Sequence, residues 1–147
     1  MVTLRHFDSK DAETIRSVLY PDMTANEAAD MIEEWNACVY RGHYFEMFAV
    51  LCSNKLVGHA SLYELSRSVI SVGVEICSAE RGKGFASEAL SRLFEYAAER
   101  EYRLVFDQVR TDNPASIKMH NDLGFESDGY VYRNRRDHEI FIFIKFL

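Results

Sequence analysis

Proline is nearly absent from this 147-residue chain, with 2 residues, and glycine contributes only 7. That excludes collagen-like repeats and proline-rich linkers. Cysteine is scarce too: Cys38, Cys52 and Cys77 stand alone, with no Cys-x-x-Cys pair. Such spacing suits neither a zinc site nor a disulfide framework, and isolated cysteines fit a reducing compartment. His6, His43 and His59 have no companion at ligand spacing, so no metal is expected. No stretch approaches the roughly 20 apolar residues of a membrane span. Met1 to Lys10 carries Arg5, Asp8 and Lys10 where a secretory leader would be apolar. A cytoplasmic protein without membrane attachment is the expectation. Basic residues are in deficit, 17 Lys and Arg against 23 Asp and Glu, for a formal charge of -6. A nucleic-acid binder needs a basic surface, so nucleic acid is not an expected partner.

What is present is 48% hydrophobic residues, enough to build a core at a length usual for one domain. Val2 and Leu4 alternate with Thr3 and Arg5 in a first strand that ends near Phe7. Asp8 or Ser9 then caps a helix through Ala12, Ile15 and Val18, which Pro21 stops. Thr24 and Glu27 form a capping box for a second helix, with Ala28, Met31, Ile32 and Trp35 on one stripe and an end before Gly42. Tyr44 to Leu51, Leu56 to Tyr63 and Ser68 to Cys77 read as an antiparallel meander. Gly58 inside it marks a bulge or a close backbone approach. The period changes to helical from Gly84 to Glu99. A strand from Leu104 to near Val109 follows, then a helix from Asn113-Pro114 to Gly124. Phe125 to Arg133 and Glu139 to Phe146 read as two last strands. This order predicts one α/β domain over residues 1–147, with a mixed, mostly antiparallel sheet flanked by helices. The unit from Val69 to Val109 is its right-handed parallel crossover.

Arg81-Gly82-Lys83-Gly84-Phe85-Ala86 joins an apolar strand to a helix. Two glycines free the backbone there, and the helix start adds its partial positive charge, a combination suited to a phosphate or pyrophosphate. Neither the Walker A pattern nor the dinucleotide fingerprint fits, since Lys83 precedes Gly84 and position 87 is Ser. Standing alone, the segment reads equally as a two-glycine turn with solvated charges.

A second segment changes that reading. It runs Asn113-Pro114-Ala115-Ser116-Ile117-Lys118-Met119-His120-Asn121-Asp122-Leu123-Gly124-Phe125. Together the two segments resemble the GNAT superfamily of N-acetyltransferases. The family's Arg/Gln-x-x-Gly-x-Gly/Ala signature matches Arg81, Gly84 and Ala86. Its later pattern matches Asn113, Ala115, Ser116, Leu123, Gly124 and Phe125. The resemblance implies the GNAT-like acyl-coenzyme A fold and transfer of an acetyl group from acetyl-coenzyme A to a primary amine. It implies a gap between the strand ending near Cys77 and the strand from Leu104. The pantetheine arm would lie along Ile76, Cys77 and Ser78, the pyrophosphate on Arg81, Gly82, Lys83, Gly84, Phe85 and Ala86, with Asn113 and Ser116 nearby. The competing reading is a non-catalytic acyl-coenzyme A binding or sensing module of the same fold.

Two residues are candidates for chemistry. Glu75 near the end of the central strand is either a general base for the amine or an ion-paired strand residue. His120 stands where many relatives carry Tyr, and is either an acid for the leaving thiolate or a residue that bonds cofactor or backbone. The stretch from Asp8 to Tyr40 holds eight acids against Lys10 and Arg16. Those acids either steer a cationic acceptor, a small molecule or a peptide end, or simply solvate two helices. A monomer or homodimer is expected.

Overall fold

The computed structural model describes all 147 residues. Strand β1 (Val2–His6) is followed by a 3-10 turn (Ser9–Asp11) and helix α1 (Ala12–Val18), then helix α2 (Ala25–Asn36). Strands β2 (Val39–Tyr40), β3 (His43–Cys52), β4 (Lys55–Ser66) and β5 (Val69–Ile76) come next. After a 3-10 turn (Ser78–Glu80) come helix α3 (Phe85–Glu99), strand β6 (Leu104–Arg110), helix α4 (Pro114–Asp122), and strands β7 (Tyr132–Arg133) and β8 (Glu139–Phe146). The sheet runs β1-β3-β4-β5-β6-β8-β7, with β2 on the side of β3. Every pairing is antiparallel except β5 with β6.

Strand alternation sends side chains to two faces, each covered by helices. On one face, Ile70 and Ile76 of β5 and Val105 and Val109 of β6 join Ala89, Leu90, Leu93, Phe94 and Ala97 of α3 in the larger core. On the other, Met47, Ala49 and Leu51 of β3 pack with Ile15 of α1 and Ile32 of α2. The Thr24–Glu27 capping box is complete: Glu27 N–H donates to Thr24 Oγ1, and Thr24 N–H donates to the Glu27 carboxylate. It satisfies two amides that would otherwise be orphaned at the start of α2.

Two features create the site. The first is a bulge. Val50 faces Gly58 but Leu51 faces Leu56, so Val57 is an extra residue in β4. Beside it β5 passes so close that a Cβ on Gly58 would lie 2.1 Å from the Glu75 carbonyl oxygen. The close approach expected at Gly58 is therefore real. The second is a splay. β5 and β6 pair only at Val69 beside Leu104 and Ile70 beside Val105, then separate.

Phe125 to Arg133 departs from the expected strand. Only Glu126 bridges to β8, opposite Ile144, before the short β7. Ser127 Oγ accepts from Gly129 N–H and Asp128 Oδ1 from Tyr130 N–H, and Gly129 has φ +73°. These local side-chain bonds give the backbone an alternative to the ladder. The second helix ends at Asn36, before Gly42 as expected, and the chain then turns at Cys38 (φ +57°) and forms β2.

Candidate active site

The splay opens into a continuous cleft. Its first part, about 550 Å³, lies at the start of α3 and is lined by Glu75, Ile76, Arg81, Gly82, Gly84, Phe85, Ala86, Asn113 and Ser116 among others. Its second part, about 440 Å³, lies between β5 and β6 and includes Ser71, Gly73, Asp107, Ser116 and His120. Val74, Ser116 and Met119 border both. Ser71 and Gly73 alternate with Val72 and Val74 along β5, and all four line the gap, so it reaches both faces of the sheet.

At the loop, Gly82 and Gly84 have φ +78° and +82°, and a Cβ on either would meet nothing within 4 Å. Glycine is required here by the left-handed backbone, which leaves an open cradle over the α3 start. Glu88 N–H bonds to Gly84 O, so the amides of Phe85, Ala86 and Ser87 precede the first helical bond. Arg81 Nε donates to Ile76 O at 3.0 Å, and Arg81 lines the cleft. Lys83 and Lys55 both bond to Glu80, whose carboxyl Lys55 first and Lys83 second hold down at about 2. Lys83, Ser78 and the buried Cys77 are not among the lining residues. The cradle, the exposed amides and Arg81 fit a pyrophosphate, and the splay fits an extended arm.

At the far side of the first part, Glu75 lies on the α1/α2 face of the sheet directly across from His59 of β4. Tyr20, just past α1, donates its hydroxyl to Glu75 Oε2 at 3.0 Å and lies 2.9 Å from His59 Nε2. His59 Nε2 is itself 3.1 Å from Glu75 Oε2. Burial pushes His59 below the usual histidine range, against the opposing pull of Glu75, and so favours the neutral ring. Burial first, and the Glu75 bond second, push the Tyr20 phenol up to about 12, so it keeps its proton. Trp35 of α2 lies over His59, with ring centroids 5.5 Å apart. Glu75 remains partly exposed, its side chain 43% accessible, so a ligand can reach it.

His120 is 5% exposed and turned into the protein. Its Nδ1 lies 2.8 Å from Ser116 O and its Nε2 lies 3.1 Å from Asp107 Oδ2. Asn113 Oδ1 accepts from Ser116 N–H and so caps α4.

Residues 2–126 match the acetyltransferase (GNAT) domain family. The chain belongs to the GNAT family. An uncharacterized N-acetyltransferase from the SPbeta prophage of Bacillus subtilis is 30% identical over 85% of this GNAT chain and 71% of its own length. An L-methionine sulfoximine/L-methionine sulfone acetyltransferase of Pseudomonas aeruginosa is 27% identical over 67% of the chain and 60% of its own. The fold matches RimL, a ribosomal-protein acetyltransferase in complex with coenzyme A, at TM-score 0.84 and 17% identity, over 99% of this chain and 94% of that one. It matches a spermidine N-acetyltransferase SpeG chimera from Vibrio cholerae at TM-score 0.76 and 19% identity, over 99% and 95%.

Within this GNAT domain, sequence reasoning missed Tyr20, His59 and Asp107. Counting from the turn that sets Ser66 opposite Val69 would put Ala60 opposite Glu75; an irregularity at Leu65 shifts the register by one and brings His59 there instead. Nothing local marks Tyr20, which reaches Glu75 across 55 positions of chain.

Proposed function

We propose that this GNAT domain is an acetyl-coenzyme A-dependent N-acetyltransferase acting on a cationic primary amine, a small molecule or a peptide end. One observation carries the reading: a single cleft joins a pyrophosphate cradle at α3 to a partly exposed carboxylate on the opposite face. Bound acetyl-coenzyme A supplies the thioester, at whose carbonyl carbon the amine nitrogen forms a C–N bond while the C–S bond breaks and thiolate leaves.

The chain's own residues do the rest. Gly82, Gly84 and the first amides of α3 hold the pyrophosphate, assisted by Arg81, and Asn113 and Ser116 border the arm. The Val72 N–H points at β6, and the alternation of a strand points the Val74 and Ile76 amides the same way. Val72 N–H is taken by Asp107 Oδ1, so the Val74 and Ile76 amides are the donors available to a carbonyl oxygen in the gap. Glu75 accepts the ammonium proton, while Tyr20 and His59 hold its carboxylate in place. Holding both reactants in one cleft removes the entropy cost of their encounter.

The acidic helices support a cationic acceptor. Asp11 is paired with Arg5, Glu13 with Arg16, and Asp8 and Glu27 serve as caps, whereas Asp22, Asp30, Glu33 and Glu34 make no ion pair. The amines in the names of relatives and neighbours, an amino-acid analogue, spermidine and a ribosomal protein, span the same class. The test is coenzyme A thiol release with a panel of L-methionine sulfone, spermidine and a peptide with a free amino terminus. Release with at least one amine, faster at low salt, is expected. Bound coenzyme A with no release from any amine would make the domain a binding module.

A further inference from the structure

The parallel ladder between β5 and β6 stops after two residue pairs, and the place where it stops is occupied by a side chain. Asp107 Oδ1 accepts from Val72 N–H at 3.1 Å and from Ser71 Oγ at 2.8 Å. Those are the first β5 groups beyond the ladder. Asp107 Oδ2 faces His120 Nε2 at 3.1 Å, and His120 Nδ1 faces the Ser116 carbonyl. Asp107 and His120 are 5% exposed each, and Phe125 and Phe143 close over the imidazole with ring centroids at 4.6 and 5.3 Å. The Ser116 carbonyl, at 2.8 Å, is the nearer partner of Nδ1, with the Ser116 hydroxyl at 3.4 Å; a carbonyl accepts only, so Nδ1 carries a hydrogen, and a carboxylate opposite Nε2 asks for a second.

We propose that Asp107 and a doubly protonated His120 form a buried strut that sets the opening of the splay, joining β5, β6 and α4 at the neck of the cleft. His120 is then a positioning residue, with both N–H groups committed to the protein. The inference rests on the functional reading only in taking the cleft as the coenzyme A site. Asp107 stands in for the β6 carbonyl that a continued ladder would have offered to Val72. It thereby lets the strands part without leaving a buried amide unsatisfied. His120 neutralises the carboxylate and ties it to the backbone of α4, the helix whose Ser116 borders both parts of the cleft.

The pair also makes the neck sensitive to pH. Burial opposes the imidazolium most. The Asp107 bond, the Ser116 bond and the Asp107 charge together outweigh it and raise His120 above the ordinary 6.5. No other charged group is bonded to the ring; Lys145 of β8 reaches toward Gly124 and the Phe94 ring. A raised folded pKa means that the strut's contribution is complete below 6.5 and fades as pH rises through the folded value.

The experiment compares wild type, His120→Gln, Asp107→Asn and Asp107→Ala. Backbone hydrogen exchange over residues 71–74 and thermal unfolding are measured at pH 6 and pH 9, and acetyl-coenzyme A affinity by calorimetry across the same range. Val72 exchange should rise at least about tenfold in Asp107→Ala and stay low in Asp107→Asn, which keeps an acceptor. The unfolding temperature gap between wild type and His120→Gln should be largest at pH 6 and close toward pH 9. Affinity in His120→Gln should fall about fivefold at pH 6 and lose its pH dependence, with KM for acetyl-coenzyme A changed more than kcat. Unchanged Val72 exchange in Asp107→Ala, or a gap independent of pH, would overturn the strut. So would a His120→Gln enzyme that keeps its affinity and loses kcat with the alkaline limb, which would make His120 the acid. Wild-type protein that binds no coenzyme A would instead sink the functional reading, while exchange and unfolding, which need no ligand, still decide the strut.

Discussion

The two sides of the cleft are built in different ways. The α3 side comes largely from one continuous stretch, Ile76 to Ala86, and its recognition elements are backbone amides and two left-handed glycines. The Glu75 side takes Tyr20 from beyond α1, Trp35 from α2, His59 from β4 and Glu75 from β5. Backbone recognition suits a group that is always the same, such as a pyrophosphate. Side chains drawn from separate elements can change one at a time, which suits an acceptor that differs between relatives.

The sharpest way to break this division is Glu75→Gln, which removes proton acceptance while keeping size and hydrogen bonding. kcat at saturating acetyl-coenzyme A should fall about 10²–10⁴-fold and the acidic limb of the pH–rate profile should weaken. Wild-type kcat/KM across the profile would take the base role from Glu75.

Gly58→Ala probes what holds Glu75 in place. The added methyl would meet the Glu75 carbonyl at 2.1 Å, which is backbone and cannot swing aside. The strands must part, at a cost of about 1–3 kcal/mol. Chemical denaturation would register it, and an unaltered midpoint would contradict the close approach. Tyr20→Phe removes one bond to Glu75 and leaves the ring, so kcat should drop about tenfold, about 1.4 kcal/mol, with acetyl-coenzyme A affinity untouched. Equal kcat would place Tyr20 outside the site's machinery. The smallest effect belongs to the combined Glu33→Gln and Glu34→Gln change. The acceptor KM should rise about two- to threefold at low salt and converge with wild type at high salt. Acceptor kinetics equal at both salt levels would remove these two residues from the proposal.

This division also explains what was legible in the sequence. The Gly82 and Gly84 loop, the Asn113 cap and the element order could be read because each depends on residues close in the chain. The α3 stripe of Ala89, Leu90, Leu93, Phe94 and Ala97 was visible as a period. Phe125 to Arg133 misled, since its apolar and aromatic residues look strand-like while Ser127, Asp128 and Gly129 turn the backbone by local bonds. Glu75 and His120 were visible as residue types, but their partners were not. Tyr20, His59 and Asp107 gain meaning only when β4, β5 and β6 are in register, and register over such separations is set by the whole sheet.

Calorimetric titration of acetyl-coenzyme A into wild type, Gly84→Asp and Glu75→Gln, with coenzyme A release followed in parallel, tests the division of labour most directly. Gly84→Asp puts a carboxylate into the cradle and should weaken binding at least about tenfold, about 1.4 kcal/mol. Glu75→Gln should bind as wild type does and yet turn over slowly. Unchanged affinity in Gly84→Asp, or affinity lost in Glu75→Gln, would contradict it.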